Sequence, residues 1–325
     1  MKVLIVCSGN TSDGLEFNLK IHQPFIYEQV EAVKRFGVEF EFFFIKGKGF
    51  SGYFKNLGLL KKTLADNFDL VHAHYGLAGF LVLIAKADYP LVTTFHGNDI
   101  NPISIKPGII PNVNKILSRI VNRYSSYSIF VNKDLATKIK AIPGSYDIIP
   151  CQVNLDLFYP IDKISARIQF NFLADRRYIL FSSSFDNPVK NYSLARKACD
   201  SFDNIELIEL KGYSRHEVNL LINACDLALI TSFNEGSSQF LKEAMACNCP
   251  VVSTKAGDAE MILGKTDGCY ITSYEVKDVI DKIKMALEFS STKNETKGRE
   301  RITELQFDPE HISRKVYDIY LKVIN

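Results

Sequence analysis

The sequence predicts an α/β protein built from two doubly wound parallel-sheet domains in series. Short apolar, β-branched or aromatic runs alternate along the chain with longer segments of helical period, the order in which a parallel sheet and its crossover helices are laid down. The alternation breaks once, at the loop-like "NLDLFYPIDK", and then starts afresh. A chain of 325 residues is long enough for two domains that each bury a core.

Element by element, "KVLIV" is a buried first strand, and its apolar run is too short for a signal peptide. It is followed by "PFIYEQVEAVKRFG" at helical period, "VEFEFFFI" as a strand, "GYFKNLGLLKKTLADN", "DLVHAHY", "GLAGFLVLIAKA", "PLVTTFHG", "KILSRIVNRYSSY", "SIFVN", "KDLATKIKAI" and "YDIIPCQV". The second series runs "YILFSSS", "NYSLARKACDSF", "IELIEL", "SRHEVNLLINAC", "DLALITS", "EGSSQFLKEAMA", "CPVVST" and "VKDVIDKIKMALEF". These runs divide the chain into domains at 1–157 and 158–307, with a last helix at 308–325. Ile312, Val316, Ile319, Tyr320 and Val323 give that helix one apolar face, and it is expected to cross back onto the first domain.

Composition excludes several classes. The balance of 39 basic against 37 acidic residues gives a net charge of +2, which points neither to a nucleic-acid partner nor to an acidic tail. No apolar run reaches the roughly 18 residues of a transmembrane helix. The seven cysteines are scattered with no CxxC pair, as expected of free thiols in a reducing compartment.

In open parallel sheets, ligands sit beyond the carboxyl ends of the strands. Two such domains facing one another form a cleft, so strand-end residues become the candidates: Gly9, His72, His74, His96 and Gly97 in the first half, and Ser183, Ser184, Lys190, Gly212, Tyr213 and Glu235 in the second. "GKGFSG", Gly47 to Gly52, matches the dinucleotide pattern but follows the second strand, and the acid that should end a strand, Asp69, opens one. A glycine loop at the rim is the better reading. His72, His74 and His96 lack a nearby carboxylate or thiol at ligand spacing, so they read as strand-end packing or substrate-binding groups ahead of a zinc site. His96 stands out because Gly97 lets backbone approach a ligand closely.

In "SSSFDNPVKN", small polar residues bring backbone donors to the turn after a strand, and Lys190 opens the next helix. Phosphate is the natural guest there, although most lysines at a helix start are merely solvated. "EGSSQFLKE" adds Ser237 and Ser238 at a second helix start, with Glu235 before it and Glu243 eight residues on. Eight steps of about 100° make two turns and a little more, so both carboxylates can face one elongated ligand.

"EGSSQFLKEAMACNCPVVSTKAG" resembles the E-x7-E signature of retaining glycosyltransferases of family 4, which have the GT-B fold of two Rossmann-like domains. "PFIYEQVEAVKRFGVEF", "DLVHAHYGLAG", "LVTTFHGNDI", "IIPCQVNLDLFYP" and "PVKNYSLARKA" carry the resemblance along almost the whole chain. It implies that Glu235 lies against hydroxyls of a donor sugar, that Gly236, Ser237 and Ser238 lie near sugar and diphosphate, and that Glu243 binds ribose. It further implies Lys190 on the diphosphate, Ser184 in the donor site, Gly212 and Tyr213 beside the base, and His96 over the reacting sugar, with Gly9, His74 and Gly97 on the acceptor side.

The chain departs from the family pattern in places. The stretch before Lys190 has no arginine, the first-strand loop has Gly9 and Gly14 apart where the family pairs its glycines, and Cys249 replaces a glycine. No D-x-D pair occurs, so no metal and no other cofactor is expected, and fixed cations must meet the diphosphate. The expected activity is transfer of a hexosyl or N-acetylhexosaminyl unit from a nucleotide sugar, UDP-linked by family frequency, to a glycan or lipid-linked acceptor of cell-envelope polysaccharide. The alternatives are a nucleotide-sugar epimerase and a non-catalytic sugar-nucleotide-binding partner. Between Lys106 and Lys140 there are seven basic residues against one acid, Asp134, which reads either as a solvated helix face or as peripheral contact with the inner face of an anionic plasma membrane by a cytoplasmic enzyme.

Overall fold

The computed structural model describes residues 1–11, 16–47, 49–86, 88–101, 113–293 and 295–325. Gly14 and Lys106 lie outside them, as does Lys48 of the glycine loop. The chain forms two compact units, one of residues 1–152 with 309–325 and one of residues 153–308.

In the first unit six strands make a parallel sheet: β1 (Lys2–Ser8), β2 (Glu39–Ile45), β3 (Leu70–His74), β4 (Leu91–Phe95), β5 (Tyr127–Phe130) and β6 (Tyr146–Ile148). Their order is β2-β1-β3-β4-β5-β6. Strands β3, β4 and β5 are buried at every position, as strands covered on both faces must be. The helix Pro309–Ile324 packs on the helix Pro24–Lys34 in this unit. Tyr317 stacks on Phe36 with centroids 4.8 Å apart, and the Tyr320 hydroxyl lies 2.6 Å from Nδ1 of His72.

The second unit holds β7 (Arg177–Phe181), β8 (Ile205–Ile208), β9 (Leu227–Ile230), β10 (Val251–Thr254) and β11 (Cys269–Thr272), parallel in the order β11-β10-β9-β7-β8. It begins at Val153, ahead of the expected 158. The Val153 N–H donates to Phe307 O at 2.9 Å, and Arg299 holds Leu155 O and Phe158 O, so this stretch is tied into the second unit. At the amino end of β9, Asp226 is 1% exposed and bonded to Lys163, Arg167 and Arg177. That buried acid is satisfied by its neighbours and braces the far end of the sheet.

In each sheet the first strand lies between the second and the third, so chain direction across the sheet reverses beside it. That reversal is the switch point at which doubly wound sheets open a crevice. It lies between β1 and β3 in one unit and between β7 and β9 in the other.

Candidate active site

At the second switch point the segments after β7 and β9 are bound to each other. Asn187 caps a short 3-10 turn, Pro188–Lys190, by accepting from the Val189 N–H. Thr231 Oγ1 donates to Lys190 O at 2.9 Å, and the Phe233 N–H donates to Val189 O at 2.9 Å. This lacing brings Lys190 Nζ to 2.7 Å from Glu235 Oε1, which also accepts from Ser232 Oγ at 2.7 Å. Two residues 45 apart in sequence thus form one part-buried ion pair. Ser183 and Ser184 are half-buried in the same turn.

Beyond Glu235, the helix Gln239–Ala246 starts with Ser238 as N-cap, its hydroxyl accepting from the Leu241 N–H. Gly236 and Ser237 therefore sit in the turn that precedes the positive end of this helix. Gly257, at φ +61°, explains how close the next loop comes: a Cβ there would lie 2.7 Å from Gly236 O and 3.1 Å from Glu235 Cβ. Only glycine fits. Ahead of the turn, Lys242 and Asp258 are both buried, and Lys242 Nζ donates to Ser237 Oγ at 3.1 Å. Burial pushes the Asp258 carboxyl above its ordinary range, with the Lys242 charge and the Ser237 hydroxyl opposing that rise.

Glu243 is 3% exposed and accepts from Arg215 Nη1 at 2.5 Å. Arg215 is positioned by Gly212 at φ +81° and by the capping box of Ser214 and Glu217, which starts the helix Arg215–Ala224 one residue later. Its guanidinium also lies over the Phe158 ring, 4.6 Å from the centroid. Tyr213 is partly exposed and stands edge-on to Phe170. Ser184, Lys190, Gly212, Tyr213, Glu235, Gly236, Ser237, Ser238 and Glu243 thus all lie on loops and helix starts of one unit, tied by the Lys190–Glu235 and Arg215–Glu243 pairs. Arg215 and Lys242 touch these candidates, on Glu243 and Ser237, and Asp258 lies close to Lys242; none of the three is a sequence candidate. The S-x-x-E of "SRHE" was the signal for Arg215, since a capping box at Ser214 puts Arg215 on the first turn beside Tyr213.

The first unit gathers aromatic and imidazole groups. His72 and His74 share a face, as strand alternation requires, and their rings stack with centroids 4.4 Å apart. That face is covered. His72 is fully buried between Tyr320 and Thr94, whose Oγ1 lies 2.8 Å from Nε2, and burial drops its pKa to about 3. His74 is 1% exposed and its Nδ1 lies 3.0 Å from His96 Nε2, so it meets the site through His96; burial lowers its pKa well below 6.5. His96 is half-buried among Phe25, Tyr75 and His74, with Nδ1 3.9 Å from Cys151 Sγ.

Gly97, at φ +119°, turns the chain so that Asp99 accepts from the Gly97 N–H at 2.9 Å and from the Gly76 N–H at 3.1 Å. The His96–Gly97 loop is thereby fastened to the start of the helix Gly76–Ala85. Burial raises the Asp99 carboxyl to about 6 against those backbone donors. Gly9 has a packing reason for its identity: a Cβ would lie 2.8 Å from Phe44 Cβ. In the glycine loop, a Cβ on Gly52 would lie 2.5 Å from Gly47 C, and Asn10 clamps Gly47 with two hydrogen bonds. These glycines allow two backbones to touch. Among the described residues no group of three or more His, Cys, Asp or Glu side chains is placed to hold a metal ion.

Two family models match the chain: Glycosyltransferase Family 4 over residues 6–157 and Glycosyl transferases group 1 over residues 176–288. D-inositol 3-phosphate glycosyltransferase of Mycobacteroides abscessus is 24% identical over 258 residues, covering 66% of this chain and 58% of that one. A Bacillus subtilis protein assigned to teichuronic acid biosynthesis as glycosyltransferase TuaC is 23% identical over 220 residues, covering 61% and 56%. The chain thus spans little more than half the length of these relatives. Among solved structures, sucrose-phosphate synthase from Thermosynechococcus elongatus superposes with a TM-score of 0.80 at 15% identity, over 99% of both chains. Anabaena HepE in complex with UDP and glucose does so at 0.75 and 18%, over 99% of this chain and 100% of that one. These likenesses show the fold.

Proposed function

Because this chain belongs to the family 4 glycosyltransferases, with their GT-B fold, we propose that it transfers a hexosyl or N-acetylhexosaminyl unit from a UDP-sugar, with retention of anomeric configuration, to a glycan or lipid-linked acceptor of cell-envelope polysaccharide. The observation that carries the reading is at the second switch point: the Lys190–Glu235 pair, the Gly236–Ser238 turn at a helix start and the Glu243–Arg215 pair follow one another along one turn and helix. The solved complexes of HepE with UDP and with UDP-glucose, and the teichuronic acid assignment of TuaC, support the choice of donor and pathway.

In the reaction the bond from the anomeric carbon to the diphosphate oxygen breaks, the diphosphate keeps the electron pair, and the acceptor oxygen forms the new bond as its hydroxyl passes its proton to the departing diphosphate. Charge grows on the diphosphate, where the Lys190 ammonium and the amides of the turn stabilise it without a metal ion. The sugar becomes oxocarbenium-like, and the Glu235 carboxylate beside it favours that character. Glu243 takes the ribose hydroxyls, Tyr213 the base, and His96 the hydroxyls of the transferred sugar, with Gly9, Gly97 and, through His96, His74 shaping the acceptor side.

A lipid-linked acceptor calls for a membrane nearby. No helix among the described residues is long and apolar enough to cross one. The helix Val113–Tyr124 instead turns Val113, Ile116, Arg119, Ile120, Arg123 and Tyr124 to solvent, and its sequence contains no acid. Apolar side chains between cations on an outward face suit a helix lying on an anionic surface, which on this reading is the inner face of the plasma membrane. Incubation with a panel of UDP- and GDP-sugars tests the activity. Release of UDP supports transfer, isomerised sugar without release means an epimerase, and binding without either means a carrier module.

A further inference from the structure

The sequence leaves one question open: what supplies positive charge where the segment before Lys190 has no arginine. The helix that starts at the donor turn carries an unusual residue. Lys242 lies on the first turn of the helix Gln239–Ala246, between Leu241 and Glu243, and is 0% exposed. Lysine is almost never fully buried, because removing an ammonium from water costs several kcal/mol unless it is paired and hydrogen-bonded. Its Nζ donates to Ser237 Oγ at 3.1 Å. Asp258, 8% exposed at the start of the helix Ala259–Leu263, is the nearby acid that feels the Lys242 charge, and both its carboxylate oxygens are buried without a hydrogen-bond partner.

An ammonium has three donors and no acceptor, so in this contact the Ser237 oxygen can only accept. The hydroxyl hydrogen must then point elsewhere. It has two destinations: the Asp258 carboxylate, or an anion seated at the turn. We infer that Lys242 is a positioning residue for the donor diphosphate, acting from beneath the 235–238 turn by polarising the Ser237 hydroxyl toward phosphate, with the unpartnered Asp258 carboxylate as the competing acceptor for that hydroxyl. Being fully buried, Lys242 does not touch the ligand; its charge reaches the phosphate through one hydrogen bond and through the helix start above it. The cation missing from the segment before Lys190 is replaced from inside the helix.

This inference rests on the proposal that the turn binds a nucleoside diphosphate, and the test separates the two. Titrations of UDP and of uridine into the full-length protein are compared for wild type, Lys242→Met, Ser237→Ala, the double variant and Asp258→Asn, with thermal unfolding as a check on folding. If wild type binds no UDP, the donor reading itself fails. If it does, Lys242→Met is expected to weaken UDP about tenfold while leaving uridine within twofold, as expected for loss of one charge-assisted hydrogen bond. Ser237→Ala gives a similar loss and the double variant no more, because both act through one bond. Asp258→Asn replaces the competing carboxylate with a neutral amide, a weaker acceptor without charge, and tightens UDP. Equal losses for UDP and uridine, additive losses in the double variant, or undiminished UDP binding by Lys242→Met overturns the inference. Should Lys242→Met fail to fold, Asp258→Asn alone decides: tighter UDP supports the relay, and unchanged or weaker UDP removes it.

Discussion

In the second unit, the crevice beside β7 holds four charged side chains in two pairs, Lys190 with Glu235 and Arg215 with Glu243. In the first unit, the corresponding end of β3 and β4 holds three imidazoles, of which His72 and His74 are buried and kept neutral by desolvation. The strand order around the first strand is the same in both. What differs is the charge each crevice can exchange. A part-buried ion pair can trade one partner for an incoming anion, which is why the proposed diphosphate site is put in the second unit. The two buried imidazoles carry no charge and are closed in by Tyr320, Thr94 and His96, so of the three only the half-buried His96 is left at the surface of this crevice. Asp226 sharpens the point: at the opposite end of the second sheet it is bonded to three cations, with nothing left to offer a ligand.

The largest expected effect falls on the charged crevice. Lys190→Ala should lower turnover of a UDP-sugar by roughly 10²–10³-fold, the usual cost of removing one group that meets developing charge, as read by steady-state UDP release. His96→Ala should cost about a hundredfold in kcat while UDP affinity stays unchanged, which separates the neutral crevice from the charged one. Glu243→Ala should weaken UDP by about 2 kcal/mol, roughly thirtyfold, in a calorimetric titration, with a smaller effect on kcat.

A pH series tests the neutral histidines. His72 has a folded pKa of about 3, below its ordinary 6.5, so the folded protein refuses a proton that the unfolded chain accepts. The associated stability is present above pH 6.5 and is lost as pH falls toward 3. Asp99 works the other way: held near 6, above its ordinary 3.8, it contributes stability that declines as pH rises from 3.8 through about 6. His72→Phe should therefore flatten the acid-side loss by about 1 kcal/mol per pH unit between 6 and 4 in urea unfolding curves. Least of all, Tyr320→Phe should cost about 1 kcal/mol by leaving His72 Nδ1 without its partner.

The strands of both sheets were legible wherever a β-branched or aromatic run was bounded by loop residues, from "KVLIV" to "CPVVST". β11 was not, because Cys269–Thr272 is a four-residue edge strand without alternation of its own. Glu235, Glu243 and Lys190 stand out in the sequence by spacing and helix-start chemistry, and in the structure each is held in an ion pair. The partner of Glu243 does not stand out. Arg215 lies 28 residues from Glu243, and that pairing is made by the fold and by no local pattern. Lys242 reads in sequence as one more polar residue on a helix, and its burial and its bond to Ser237 come only from the fold. His72 and His74 were placed at a strand end by the pattern, but the contacts that close over this face, Thr94 and Tyr320 on His72 and His96 on His74, come from two other segments, the end of β4 and the last helix.

The central claim is that the Lys190–Glu235 crevice moves a sugar off a nucleoside diphosphate. Its most direct test is UDP-sugar turnover by Glu235→Gln, measured beside UDP binding by the same variant. The account predicts turnover reduced at least a hundredfold, with UDP bound as tightly as in wild type or more so, since Lys190 is freed for the phosphate. Undiminished turnover by Glu235→Gln would contradict it.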